Sequence, residues 1–214
     1  MADTKISGLT ADTSPTGDDL IVTVNDPAGT PANKKVTVNA ARTFYDAEFI
    51  PCGYFIDGAA PPAVRETITS TNKVDVRKFD DATDEDVQIP WQVPTDIVAA
   101  TGIFFQVVCL VTESTGPSNE GVAFFLQGAS VGSGDIISGA LGTAVISSAT
   151  ARTDAQYDII YTTLSTKITV TNLAAGEMCL LKLYRDVSDA ADDYAQDIGV
   201  IGINIKFQRL LSFT

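Results

Sequence analysis

Met178-Cys179-Leu180-Leu181-Lys182-Leu183-Tyr184-Arg185-Asp186, an Asp- and Ala-rich run from Val187 to Asp197, and Ile198-Gly199-Val200-Ile201-Gly202-Ile203-Asn204-Ile205-Lys206-Phe207 form the stretch that decides the fold. Ile201, Ile203, Ile205 and Phe207 alternate with Gly202, Asn204 and Lys206, the period of two that puts one face of a strand in a core and the other toward water. The stretch therefore reads as two strands joined by an acidic loop, with those four residues closing a sandwich core. On this reading Ile203→Asp abolishes folding, whereas Asp192→Ala, in a solvated loop, is nearly silent.

The same signals recur upstream. Strands are expected at Val74 to Phe79, Val87 to Val93, Gly102 to Val111, Gly121 to Gln127, Ala144 to Ser147, Tyr157 to Thr162 and Lys167 to Leu173, with turn residues between them. Val, Ile and Thr dominate where a helix would need Ala, Glu, Lys and Leu, so helix is scarce beyond a single turn in Asp186 to Ala195. Eight or nine strands with irregular crossovers such as Gly128 to Gly142 predict an all-β chain, a jelly-roll β-sandwich. Ile103 to Val111 is apolar at nearly every position, which suits a strand covered on both faces or one at a subunit interface; the interface is the favoured expectation.

Residues 1–42 differ. Leu20 to Val24 and Lys35 to Val38 read as two short strands around an Asn25-Asp26-Pro27-Ala28-Gly29 turn, a small β-hairpin arm with too few apolar residues to offset its own ordering entropy. The arm is expected to dock on another surface. Residues 43–70, broken by Pro51 and Pro61-Pro62, read as a connecting segment, and 71–214 as the jelly-roll domain.

Composition narrows the function. The 214 residues carry a formal net charge of −13, with 27 acids against 14 bases, so phosphate contacts lack their clustered Lys and Arg and no nucleic acid is expected as partner. Apolar runs are too interrupted to span a bilayer, so no membrane is expected either, and Met1 to Lys5 shows no secretory signal. The absence of histidine removes Ser-His-Asp and Cys-His pairs, imidazole metal sites and the commonest general base, so the chain is not expected to be an enzyme. Cys52, Cys109 and Cys179 are widely spaced and odd in number, which fits neither a disulfide framework nor a zinc site; Cys109 and Cys179 read as small core residues.

Three clusters invite chemistry and lose it on inspection. Asp186 to Asp193 resembles a calcium loop by its carboxylates but lacks the glycine at the sixth position and the Glu at the twelfth, so it reads as a solvated loop in which Arg185 pairs with a nearby Asp. Asp80-Asp81-Ala82-Thr83-Asp84-Glu85-Asp86 reads as a capped turn, and Gly132-Ser133-Gly134-Asp135 as a turn rather than a phosphate cradle. Trp91, alone among apolar neighbours, reads as core or interface. No cofactor and no metal are expected.

A resemblance adds a function to this fold. Lys5-Ile6-Ser7-Gly8-Leu9, Thr16-Gly17-Asp18-Asp19-Leu20 and Lys34-Lys35-Val36-Thr37-Val38 look like the opening of many bacteriophage virion proteins, head-decoration proteins and tail fibres among them. Phe79 to Glu85, the strand with Trp91 and Pro94, Leu183-Tyr184-Arg185-Asp186, Asp192-Asp193 and Asp197 to Ile203 are similar to a jelly-roll domain of phage head-decoration and head-fibre proteins. The resemblance implies a homotrimeric capsid decoration (cement) protein, assembled in the host bacterial cytoplasm and bound to the major capsid protein on the outer surface of the expanded head at three-fold positions. It also implies interface residues: Leu20, Val22, Val24, Val36 and Val38 in the arm, and Phe104, Phe105 and Val107 in the apolar strand. The alternative it leaves open is a tail-fibre or receptor-binding tip that recognises a host surface glycan.

Overall fold

The computed structural model describes residues 20–25, 32–37, 43–69, 72–113, 120–150 and 156–210. The chain divides into two units, Met1–Phe44 with Leu210–Thr214, and Tyr45–Arg209. In the first, β1 (Leu20–Asn25) and β2 (Ala32–Thr37) pair antiparallel from Leu20↔Thr37 to Asn25↔Ala32 and form a two-stranded sheet by themselves. The expected hairpin is present, its second strand starting at Ala32; Val38 lies outside the described residues.

The second unit is a sandwich of two antiparallel sheets. Its strands are β3 (Thr43–Pro51), β4 (Ile56–Asp57), β5 (Glu66–Thr69), β6 (Lys73–Phe79), β7 (Glu85–Gln92), β8 (Ile103–Val111), β9 (Gly121–Val131), β10 (Val145–Thr150), β11 (Ile159–Tyr161), β12 (Met178–Arg185) and β13 (Ile198–Leu210). One sheet runs β10-β9-β12-β7-β4 and the other β11-β8-β13-β6-β5, with β3 also pairing β13. Strands β6 to β9 alternate between the sheets, and β13, β12, β11 and β10 return beside them in reverse order, pairing β6–β13, β7–β12, β8–β11 and β9–β10. A long antiparallel ribbon folded over on itself in this way is the eight-stranded jelly roll. Of its outermost strands, β4, β5 and β11 span only two to four residues and β10 six, so three of the four offer little unpaired backbone to stray strands.

The stretch from Met178 to Phe207 supplies the central strand of each sheet. Strand β12 lies between β7 and β9, and β13 between β6 and β8. Cys179, Leu181 and Leu183 from β12 meet Ile198, Val200, Ile203, Ile205 and Phe207 from β13 in one core with Phe79, Ile89, Trp91, Phe105 and Phe124. Phe79 and Phe124 pack edge to face at 5.4 Å, and each such side chain contributes about 1.5–3 kcal/mol by leaving water.

Four expectations need correction. Ile201 does not belong to the inward set: a β-bulge between Val200 and Gly202 leaves it without a partner on β8, and Val200 takes the inward position opposite Cys109. Residues 43–70 are more than a connection, because Glu66–Thr69 pairs with β6, Ile56–Asp57 with β7, and Thr43–Pro51 with β13. Lys167 to Leu173 is not a strand; Ile168 and Val170 are buried, but their segment makes only the isolated bridges Ile103↔Ile168 and Ala129↔Thr171. Asp186 to Ala195 folds into successive turns with no helix.

Candidate interaction surface

The registers give the sandwich two chemically different ends. Glu85, Phe124 and Arg185 stand in one row of the first sheet, and Phe79, Val111 and Ile198 in one row of the second. The five-residue turn from Phe79 to Glu85 joins these rows, so both belong to the same end. The loops there carry Asp80, Asp81, Asp84, Glu113, Glu120, Asp186, Asp189, Asp192, Asp193 and Asp197. At the opposite end the first sheet finishes in the row Gln92, Met178, Val131. The described loops leaving that end hold few charges, Asp96, Asp135, Lys167 and Glu177.

A buried arginine organises the acidic end. Strand β12 alternates Cys179, Leu181, Leu183 and Arg185 into the interior, so the guanidinium is carried to the mouth of the core, where its side chain is 0% exposed. Arg185 Nε and Nη2 donate to Asp192 Oδ2 and Oδ1 at 2.9 and 2.8 Å, a bidentate pair. Its remaining donors reach Tyr194 O at 2.6 Å and Gln196 O and Asp80 O at 3.0 Å. Asp192 Oδ2 also accepts the Ala123 N–H at 3.1 Å. The expectation of a solvated loop is therefore corrected: Arg185 does pair with an Asp, but inside the protein, where the pair ties the turn after β6, strand β9 and the loop before β13 to one point. The signal was present in the period-two alternation, which places Arg185 in line with Leu181 and Leu183.

Around this plug Asp80, Asp81 and Asp197 each bring one carboxylate oxygen within 4.8 Å of the others. Asp80 Oδ1 accepts the N–H groups of Ala82 and Thr83 and the Thr83 hydroxyl, the expected capped turn. The Ala82 N–H, then the Thr83 hydroxyl, hold its carboxyl below the usual range. Asp197 Oδ2 lies 3.6 Å from Lys78 Nζ. Protein groups thus account for the positions of Asp80 and Asp197.

Apolar surface reaches the other end. A groove of about 590 Å³ is lined by Phe49, Ile50, Pro51, Tyr54, Pro90 and Trp91, with Glu48 and Gln92 at its margin. Trp91 is only 2% exposed and packs 5.5 Å from Phe207 as part of the core; its indole N–H donates to Glu48 Oε2 at 2.9 Å. Tyr54, 67% exposed, and Phe49, 46% exposed, form the open walls. Between β9 and β10 the loop Gly132–Gly142 presents Ile136 and Ile137 to water at 77% and 65% exposure. Gly132-Ser133-Gly134-Asp135 is a turn, as expected: Asp135 Oδ2 accepts the Gly132 N–H at 2.9 Å, and Gly134 has the left-handed φ of 94° that favours glycine.

Of the residues expected at an interface, Phe105 and Val107 have no exposed surface. They point into the sandwich because alternation along β8 sends Ile103, Phe105, Val107 and Cys109 inward, so a partner cannot reach them. Phe104, on the outer face, packs 6.2 Å from the Tyr45 ring. Leu20, Val22, Val24 and Val36 lie on the paired strands β1 and β2. Sequence reasoning missed Phe49, on a strand inside the stretch read as a connection, and Tyr54, Ile136 and Ile137, which sit in turns and loops where periodicity is silent.

No protein-family model matches this chain, and no curated protein matches it. Among solved structures, the family 11 carbohydrate-binding module from Clostridium thermocellum, in complex with a beta-1,3-1,4-mixed-linked tetrasaccharide, is similar at 10% identity and a TM-score of 0.36, over 90% of this chain and 96% of that one. A likeness at that level carries no argument about what this chain binds.

Proposed function

We propose that this chain is a virion structural protein: a homotrimeric capsid decoration protein that binds the major capsid protein on the outer surface of the expanded phage head at three-fold positions. The observation that carries the reading is the uneven surface of the sandwich, with carboxylates gathered at one end, exposed Phe49 and Tyr54 walling a groove that runs to Gln92, and exposed Ile136 and Ile137 on the loop after Val131. Exposed apolar surface supplies contact area for neighbouring proteins. An acidic end turned outward keeps particles apart by like charge. Three-fold symmetry repeats each contact, so linked weak patches give firm attachment. The two-stranded arm suits the same role, since a lone hairpin is marginal in water and is stabilised by a surface it can pair with or pack on.

The test is to mix purified protein with undecorated capsids and image them. Density at the three-fold positions is expected. Bare three-folds refute the reading, and binding on a glycan array in their place would favour a receptor-binding tip.

A further inference from the structure

We infer that the loop Gly132–Gly142 is a knob that inserts Ile136 and Ile137 into the groove over Trp91 of a second copy, so that one repeated head-to-tail contact closes three copies into a ring. The inference rests on the homotrimer proposed above and names the surfaces that make it.

The knob is built for insertion. Two adjacent β-branched apolar side chains stand in water at a loop tip, where turn chemistry calls for polar residues. The loop backbone is held in place: Asp135 N–H donates to Gly132 O at 3.2 Å, Gly139 N–H to Ile136 O at 3.3 Å, and Gly142 N–H to Gly128 O at 2.9 Å. A knob shaped before contact loses little conformational freedom on binding.

The groove matches it in chemistry and size. Its walls are aromatic rings, prolines and Ile50, joined by Glu48 and Gln92, and about 590 Å³ leaves room for two aliphatic side chains. Each carboxylate that borders the contact has a hydrogen-bond donor on one oxygen: Glu48 accepts the Trp91 indole N–H, and Asp135 accepts the Gly132 N–H. With a net charge of −13 per copy, copies that meet at their acidic ends repel, which leaves the groove and the exposed Ile136 and Ile137 for association. The same charge, and the absence of Lys or Arg between Gly128 and Gly142, argue against an anionic lipid surface as the occupant.

The groove borders Gln92 and the knob follows Val131, and these two residues lie in the row Gln92, Met178, Val131, two strands or roughly 10 Å apart. A knob on one copy that fills the groove of the next makes a heterologous contact, which forms a ring when the rotation between copies closes and a filament when it does not; the homotrimer proposed above takes the ring.

The experiment uses the full chain. Cys52, Cys109 and Cys179 are buried, so a double variant Y54C/I137C treated with a short bismaleimide is expected to give a covalent ladder ending at the trimer, with neither single variant cross-linking. In parallel, I136D/I137D, which changes only exposed side chains and is checked for fold by circular dichroism, is expected to drop to one third of the wild-type mass by light scattering. A wild-type trimer with no cross-link, a ladder that runs past three, or an I136D/I137D trimer overturns the inference and leaves the decoration role standing. A monomeric wild type overturns both the contact and the trimer. Sedimentation of the wild type, but not I136D/I137D, with phosphatidylserine vesicles makes the knob a lipid anchor and overturns the inference too. Cross-linked trimers that leave capsid three-folds bare uphold the contact and refute the capsid role.

Discussion

Asp192→Ala removes the carboxylate that neutralises a fully buried guanidinium. Arg185 then keeps its bonds to the carbonyls of Tyr194, Gln196 and Asp80, but its positive charge stays inside the sandwich without a counter-ion. Breaking a buried pair from one side costs about 3–5 kcal/mol. The Ala123 N–H loses its acceptor as well, which adds on the order of 1–3 kcal/mol for a buried donor left unpaired. Alanine leaves no atoms to collapse onto Arg185, so little of this is recovered. A loss of at least ~3 kcal/mol against a urea slope near ~3 kcal/mol/M lowers the unfolding midpoint by about 1 M or more. The assay is urea unfolding followed by Trp91 fluorescence for the wild type, D192A, R185M and R185M/D192A. The double variant is expected to cost less than the sum of the singles, because removing both charges avoids the uncompensated ion. A D192A midpoint within error of wild type, or strictly additive singles, refutes the argument that this pair holds the acidic end together.

Three further outcomes follow from the same packing. Ile203→Asp puts a carboxylate among fully buried side chains and is expected to abolish folding, seen as loss of the β signal in circular dichroism and recovery only in inclusion bodies. Burial first, then Asp80 and Asp197, holds the Glu85 carboxyl above its ordinary range. Its ionisation therefore costs folding free energy that is absent below about pH 4.3 and fully present above the raised value. Glu85→Gln is accordingly expected to melt higher than wild type near neutral pH, with the advantage vanishing in thermal scans below about pH 4. Burial pushes the Cys179 thiol up to about 12 and raises Cys109 in the same way, so a thiol reagent at pH 8 is expected to label neither in the native protein and both in denaturant; fast native labelling would place them outside the core.

Period-two alternation was enough to read the all-β class and the strands β6 to β9, β12 and β13, because an inward face must be apolar wherever one sheet covers another. Cys109 and Cys179, which fit no disulfide or zinc pattern, lie in the core as read, and Trp91, read as core or interface, packs in the core. Residues that the alternation treats alike were separated only by the third dimension. Ile201 and Ile203 are both isoleucines at matching positions, but one extra residue in a bulge sends only the second inward. Asp192 and Asp193 are neighbours in one acidic run, but only Asp192 meets Arg185 inside the sandwich, since the pairing depends on how the loop before β13 crosses the end of β12. Ile136, Ile137 and Tyr54 have no period to mark them, and the outward-facing Phe49 of β3 lies more than eighty residues from Ile136. The groove that Phe49 and Tyr54 wall reaches Gln92 and the loop of Ile136 and Ile137 leaves Val131, and those two residues share a row only because β7, β12 and β9 pair in register, which is decided by strands far apart in the chain.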